Sequence, residues 1–345
     1  KTDYNLVNLT KYKYMVKTQL KPPLEKSAVD EYSSVQTIAY QAKDINARFC
    51  PIMNTMRTRL MAVMDKRFMM NCGWSTQEFE REMNLRFDIT TLKNMMRCEN
   101  DMSKYDKSQD EVALLAEMYM YELLGMSEED LDAWYEAHRR SVLANYRCGV
   151  ETVVDYQRKS GDASTFFGNT LFLMMVTAAV YDFNKLECGI FAGDDSLLFA
   201  SPGYDISVDH SAKFADAFNL ECKLLLYRHS YFCSRFVLFV DDVCVIVPDP
   251  IKLLTKLGRH NLMNPKHVEE YRISLCDTMY HYKNSYLYDE VDAAVAERYQ
   301  VFGVNMHETL ALIDSVLSNP GLFARLYYHV DDLRQMRGGT LQVLD

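Results

Sequence analysis

Two short apolar segments, Cys188 to Ala192 and Ser196 to Ala200, stand on either side of Gly193-Asp194-Asp195. Apolar runs of this length parted by a turn signal predict a β-hairpin. The turn then carries two adjacent carboxylates outward on supports held in a core, which is wasteful unless something binds there. Other paired acids, Asp241-Asp242 and Asp331-Asp332, read as turn or solvated positions, because Asp suits turns.

The rest of the chain mixes the two periods. From Met96 to Asp101 the pattern alternates as in a half-buried strand, with Asp101 at its carboxyl end. Ser108-Gln109-Asp110-Glu111 predicts a capping box opening a helix that Gly125 closes, and Ser127 to Asp130 a second helix running to about Asn145. A long apolar helix follows Gly161 through Asn169 to Val180, another covers Ser211 to Phe218, and Phe232 to Val247 forms a hairpin turning at Asp241-Asp242. Helical signals fill much of Val29 to Glu82, with a break at Cys50-Pro51, and Asn319-Pro320 reads as a cap and first-turn pair. Strands in the middle and helices at both ends predict an α+β fold.

With 345 residues, 48% of them hydrophobic, the chain can bury a substantial core in two or three regions. Its net charge of -10 argues at first sight against nucleic acid, whose binding rests on Lys and Arg. Yet Lys1, Lys11, Lys13, Lys17, Lys21 and Lys26 face only Asp3 and Glu25 in the first segment, a positive strip on an acidic protein. The acidic remainder suits divalent cations. Nine cysteines without a C-x-x-C pair indicate reduced, mostly buried thiols. The longest apolar run, Leu171 to Val180, is too short for a membrane span, and no signal segment is apparent. The abrupt Lys-Thr-Asp start is what a piece of a larger protein would show.

Two further clusters bear on chemistry. Asp101-Met102-Ser103-Lys104-Tyr105-Asp106 puts one carboxylate at a strand end and a second five residues on. Beside the Asp194 hairpin, Asp101 would face Asp194, and the two could hold a pair of Mg²⁺ ions about 3.5–4 Å apart. Close carboxylates repel, and a metal relieves that strain. In Ser160-Gly161-Asp162-Ala163-Ser164-Thr165 and the following Asn169-Thr170, Thr165 and Asn169 share a helical face. Alone, the first reads more readily as a strand-end turn with a helix-entry acid, and the second as a flexible Gly loop with a polar helix start.

Taken in order, Asp101-x4-Asp106, Ser160-Gly161-x3-Thr165-x3-Asn169-Thr170 and Gly193-Asp194-Asp195 resemble polymerase motifs A, B and C of positive-strand RNA viruses. The wording of Ser103 to Gln109 and Arg158 to Asp162 resembles the alphavirus-like supergroup, and within it the plant tobamovirus and closterovirus polymerases. Lys17 to Pro22 resembles the basic motif F, though Pro22-Pro23-Leu24-Glu25 replaces further basic residues, and Tyr231 to Arg235 resembles motif E.

The resemblance implies an RNA-dependent RNA polymerase with a right-hand fold and an antiparallel palm sheet: fingers at 1-95, palm at 96-247 with a helical insertion at about 111-157, thumb at 248-345. It implies Asp101 and Asp194 as ligands of two Mg²⁺ or Mn²⁺ ions, supported by Asp195 and the Met102 carbonyl. Asp106 and Asn169, with Ser160 and Thr165 nearby, would read the ribose 2′-hydroxyl, Lys17 and Lys21 would hold the incoming ribonucleoside triphosphate, and Lys223 would be the general acid for pyrophosphate. Expected partners are RNA template, nascent RNA and other viral replication proteins, in membrane-associated complexes of the host cytoplasm. A reverse transcriptase or other palm-type transferase, a small acidic Mg²⁺ site, and an inactive RNA-binding scaffold stay open. Ala192 before Gly193 and the polar Asp106 with Asn169 speak against the first, and the intact Asp101, Asp194 and Asp195 against the last.

Overall fold

A computed structural model describes residues 9–16, 37–259, 262–283 and 285–328. The chain divides into two compact units, Lys1–Ser75 with Asn94–Leu226, and Thr76–Lys93 with Tyr227–Asp345.

Among the described residues the first unit holds two sheets. Strands β1 (Lys11–Val16) and β2 (Thr37–Tyr40) precede helix α1 (Lys43–Val63) and β3 (Phe68–Met70). Helix α2 (Thr76–Arg86) belongs to the second unit, and the chain returns through β4 (Arg97–Ser103), α3 (Glu111–Leu123), α4 (Glu128–Arg139), β5 (Arg140–Asn145) and β6 (Val150–Asp155). Then come α5 (Thr165–Val180), the hairpin β7 (Leu186–Ala192) and β8 (Asp195–Ala200), α6 (Ser211–Phe218) and β9 (Glu221–Leu225). The strands order as β3-β7-β8-β4-β9 in one sheet and β2-β1-β5-β6 in the other. The five-stranded sheet is antiparallel, as expected, with one parallel pair, β3-β7, at its edge.

Hydrophobic burial explains the layering. Strands β7 and β8 are apolar on both faces, as central strands covered on both sides must be. Helix α5 is apolar nearly all round and packs Phe172, Leu173, Val176 and Val180 against Cys98, Met102, Phe191 and Leu198 of the sheet. Helix α1 presents Ile45, Phe49, Met53, Met56 and Leu60 as one stripe to Leu114, Tyr121 and Trp134 of α3 and α4.

That stripe overrides the break predicted at Cys50-Pro51. Pro51 lies inside α1 on its exposed side, where water can serve the carbonyl that its missing N–H leaves unbonded. Helix α4 starts at the predicted cap, Ser127, but ends at Arg139 rather than about Asn145, because the next six residues pair with β1 and β6. Asp110, not Ser108, caps α3, accepting from the N–H groups of Val112 and Ala113 at 3.0 and 3.3 Å. Strand β4 runs two residues beyond Asp101. Among the described residues there is no disulfide, and Cys72, Cys98, Cys188, Cys222 and Cys244 are buried.

In the second unit β10 (Ser230–Phe232), β11 (Arg235–Val240) and β12 (Val243–Pro248) form an antiparallel sheet. Both its turns, Cys233-Ser234 and Asp241-Asp242, have positive φ at the two central residues, the geometry that two-residue hairpins demand. Asp241-Asp242 is thus a turn pair, as expected. On the edge strand β12, Glu80 accepts from the Ile246 N–H, and Asn84 bonds both the N–H and the carbonyl of Cys244. Helices α7 (Pro250–Leu257), α8 (Pro265–Met279), α9 (Tyr288–Tyr299), α10 (Met306–Ser318) and α11 (Pro320–Arg325) follow among the described residues, with Asn319 capping α11 as predicted. Lys17, Lys21 and the rest of the basic motif, like Asp331-Asp332, lie outside the described residues.

An interior proline costs a helix about 3 kcal/mol, so part of that sum is recoverable by Pro51→Ala. The variant is expected to melt at higher temperature than the parent, by about 1–2 kcal/mol of stability in a denaturant titration.

Candidate active site

The register of the five-stranded sheet sets out the acids. Asp101 of β4 is the cross-strand partner of Asp195 on β8 and of Lys223 on β9. Directly opposed residues share a face, so the three form a row across three strands. Cys98, Asn100 and Met102 point the other way into the core, while Asp101 and Lys223 are exposed and Asp195 half-buried. Two carboxylates directly opposed repel, and Lys223 flanks Asp101 from the other side. Lys223 therefore sits on a strand beside the acids.

Asp194 occupies the β7-β8 turn with Gly193, whose φ of +63° favours glycine. The turn is tied to α5, where the Thr170 hydroxyl accepts the Gly193 N–H at 2.8 Å and donates to the Phe166 carbonyl at 2.7 Å. Asp194 lines a cavity of ≈ 820 Å³ together with Asp106, Asn169, Ser160 and Thr165. Arg57 on α1, Lys104 and Lys107 bring positive charge to the same walls. Lys104 holds φ +51°, a left-handed conformation uncommon for a side chain of its size, where β4 leads into the helical turn Tyr105–Ser108.

Behind the cavity lies a buried polar network. Asn169 donates through Nδ2 to Asp106 Oδ1 at 2.7 Å and accepts at Oδ1 from Gln109 Nε2 at 2.8 Å. Gln109 Oε1 accepts from Arg158 Nε at 3.0 Å, and Arg158 pairs in turn with Glu117. Ser164 joins the pair, accepting from Arg158 at 2.8 Å and donating to Glu117 at 2.9 Å. Burial opposes the charge on Arg158, but Glu117 outweighs it and holds the guanidinium cationic. Burial pushes the Tyr105 phenol far above its usual range, so it stays a neutral donor to the Asn169 carbonyl, at 3.1 Å. Gly168 leaves the room this needs, since a Cβ there would fall 2.6 Å from the Glu117 carboxylate.

The loop before α5 is equally tied. Ser160 donates to the Thr37 carbonyl at 3.1 Å, and the Gly161 N–H to the Ala39 carbonyl at 2.9 Å, both on β2. The Thr165 hydroxyl lies 2.7 Å from the Lys159 carbonyl and accepts from the Asp162 N–H at 2.9 Å, so it closes the loop on itself. Burial works against ionised Asp162, yet His138, Arg158 and Lys159 together keep its carboxyl below the usual range. Lys159 is 2% exposed, with Nζ 5.3 Å from the centre of the Tyr12 ring, and burial lowers its ammonium to about 8.

Asp101, Asp195 and Lys223 thus share one row, and Asp194, Asp106, Asn169, Ser160 and Thr165 one cavity wall. Met102, a candidate through its carbonyl, lies next to Asp101 with its side chain in the core. Among the described residues no three His, Cys, Asp or Glu side chains close into a formed metal cage. The donors themselves, exposed carboxylates with a lysine beside them, are the hard oxygen ligands that Mg²⁺ and Mn²⁺ prefer. Glu117 and Arg57 escaped prediction. Gln109, Arg158 and Lys104 appeared only as motif wording, and a buried pair such as Arg158 with Glu117, 41 residues apart, leaves no local period.

A family model described as RNA dependent RNA polymerase matches residues 1–326. The replicase large subunit of Odontoglossum ringspot virus (isolate Korean Cy) is 34% identical over 332 residues, 95% of this chain and 20% of the relative. The RNA replication protein of Citrus leprosis virus C is 35% identical over 320 residues, 92% of this chain and 13% of the relative. The chain therefore spans a fifth or less of these relatives. Among solved structures, an insertion-loop deletion mutant of the RNA-dependent RNA polymerase of a human picorbirnavirus superposes with a TM-score of 0.56 at 17% identity, covering 88% of this chain and 61% of that one. That likeness shows the fold.

Two stability predictions follow from the buried charges. Arg158→Met strands Glu117 and is expected to cost about 3–5 kcal/mol in a denaturant titration, while adding Glu117→Met returns much of the loss. For Lys159 the folded pKa lies below the unfolded value, so between pH 8 and pH 10 the unfolded chain binds more protons and stability rises with pH. Lys159→Met is accordingly expected to raise the melting temperature at pH 7, with the gain shrinking as pH climbs through that window.

Proposed function

The chain belongs to the RNA dependent RNA polymerase family, and from that membership we propose that it extends RNA on an RNA template, with ribonucleoside triphosphates as substrates, in viral genome replication. The observation that carries the activity is the Asp195-Asp101-Lys223 row beside Asp194 and a cavity walled by Asp106 and Asn169. The five-stranded sheet with α5 and α6 is the palm of this reading, the β2-β1-β5-β6 sheet with α1, α3 and α4 its fingers, and helices α7 to α11 its thumb.

Asp101 and Asp194 would hold two divalent cations, Mg²⁺ or Mn²⁺, with Asp195 and the Met102 carbonyl in support. Such ions, when bound, lower the pKa of a coordinated hydroxyl and neutralise charge on a leaving phosphate. The remaining work belongs to the protein's own groups. Asp106 and Asn169 line the cavity already hydrogen-bonded to one another and offer polar atoms to a ribose 2′-hydroxyl, which distinguishes RNA from DNA precursors. Arg57, Lys104 and Lys107 attract the triphosphate to the walls, a task that Lys17 and Lys21 share in this reading. Lys223, beside Asp101 in the register, protonates the departing pyrophosphate. Template and product RNA and other replication proteins are the partners, in membrane-associated complexes of the host cytoplasm. Among the described residues no helix is long and apolar enough to cross a membrane.

The test is incorporation of labelled ribonucleotides on a primed RNA template with Mg²⁺ or Mn²⁺, in the full-length protein. Asp194→Ala is expected to lower incorporation by at least about a hundredfold at unchanged folding. Template-independent signal, or equal activity in the variant, would sink the proposal. Lys223→Arg separates proton transfer from charge: a general acid is worth about 10²–10⁴ in rate, and Arg keeps the charge without the transferable proton. Lys223→Arg is expected to be as slow as Lys223→Met.

A further inference from the structure

The amide of Asn169 faces Asp106 in one polarity, and the reason lies two residues away from the cavity. An arginine only donates, so the Gln109 atom at 3.0 Å from Arg158 Nε must be its carbonyl oxygen. The Gln109 NH₂ then points at Asn169 and meets its carbonyl oxygen at 2.8 Å. Asn169 is left with its NH₂ toward the Asp106 carboxylate, at 2.7 Å. Amide orientation is ordinarily ambiguous; a donor-only residue at the head of the chain removes the ambiguity at every step. Gln109 is 5% exposed and is not among the residues lining the cavity, so it meets no nucleotide itself.

We propose that Gln109 is a positioning residue for ribose selection: it relays the donor direction of Arg158 to Asn169, so that Asn169 and Asp106 meet a 2′-hydroxyl in a single hydrogen-bonding polarity. This rests on the reading that Asp106 and Asn169 face the ribose. Without the relay the Asn169 amide can turn over, bringing its oxygen against the Asp106 carboxylate and leaving the pair without a defined arrangement for the hydroxyl. Arg158 is itself oriented by Glu117 and Ser164, and its own N–H bonds the Asp106 carbonyl at 3.2 Å, so both ends of the relay are fixed to one loop.

The experiment compares kcat/KM for ATP and 2′-deoxyATP in primer extension by the full-length protein. Gln109→Glu keeps the volume and an acceptor for Arg158 but removes the donor to Asn169. It is expected to lower the ribose-to-deoxyribose ratio by about tenfold or more, the worth of one well-placed hydrogen bond. Gln109→Met, with neither donor nor acceptor, is expected to lower the ratio as well, and it decides the matter if the Glu variant does not fold. A purely structural role would slow both substrates alike, and an unchanged ratio in the folded variants overturns the inference. Asp106→Ala separates the two levels. If it collapses the ratio while the Gln109 variants do not, only the relay is wrong; if it leaves the ratio untouched, the ribose-reading role of Asp106 falls and the relay with it.

Discussion

The buried pair of Arg158 with Glu117 is the interaction on which the site depends. Two opposite charges with 3% and 0% side-chain exposure are retained in a core that could have been apolar. Such a pair is weak evidence for stability, because desolvation offsets much of its attraction, but removing either partner leaves a charge with nowhere to go. What the pair secures is geometry. Arg158 spends its donors on Glu117, Ser164 and Gln109, drawing together α3, the loop before α5 and the turn after β4. Asp106 and Asn169, 63 residues apart, are in contact at the cavity wall with this network behind them.

The acids on the sheet depend on a different constraint, the two-residue period of a strand. Asp101 faces out because Cys98, Asn100 and Met102 face in, and a one-residue slip of β4 would bury the acid and expose the core. Pairing with β8 on one side and β9 on the other then brings Asp195 and Lys223 to the same level. Repulsion between the acids is tolerated because the apolar face beneath them, packed on α5 and α6, sets the register.

Much of this centre was legible beforehand. The hairpin around Gly193-Asp194-Asp195, the strand carrying Asp101, the apolar helix through Asn169 and the caps Ser127 and Asn319 each write their signal within a few residues. The β2-β1-β5-β6 sheet was not legible: β1 pairs in parallel with β5, more than a hundred residues on, and the six residues of β5 prolong a helical pattern until those partners claim them. Pro51 misled for a related reason, since a proline's local cost was outweighed by a stripe from Ile45 to Leu60 that gains only when α3 and α4 are present.

The sequence by itself determined the elements of the centre and the order of their functional side chains, because helix and strand periods, caps and turns act over one or two turns of chain. Tertiary structure alone decided which residues meet: Lys223 beside Asp101, Gln109 between Arg158 and Asn169, Ser160 bound to Thr37. Register and hydrogen-bond direction belong to pairs of segments far apart in the chain. Their energies appear only after the loops between them have closed, so no local pattern records them.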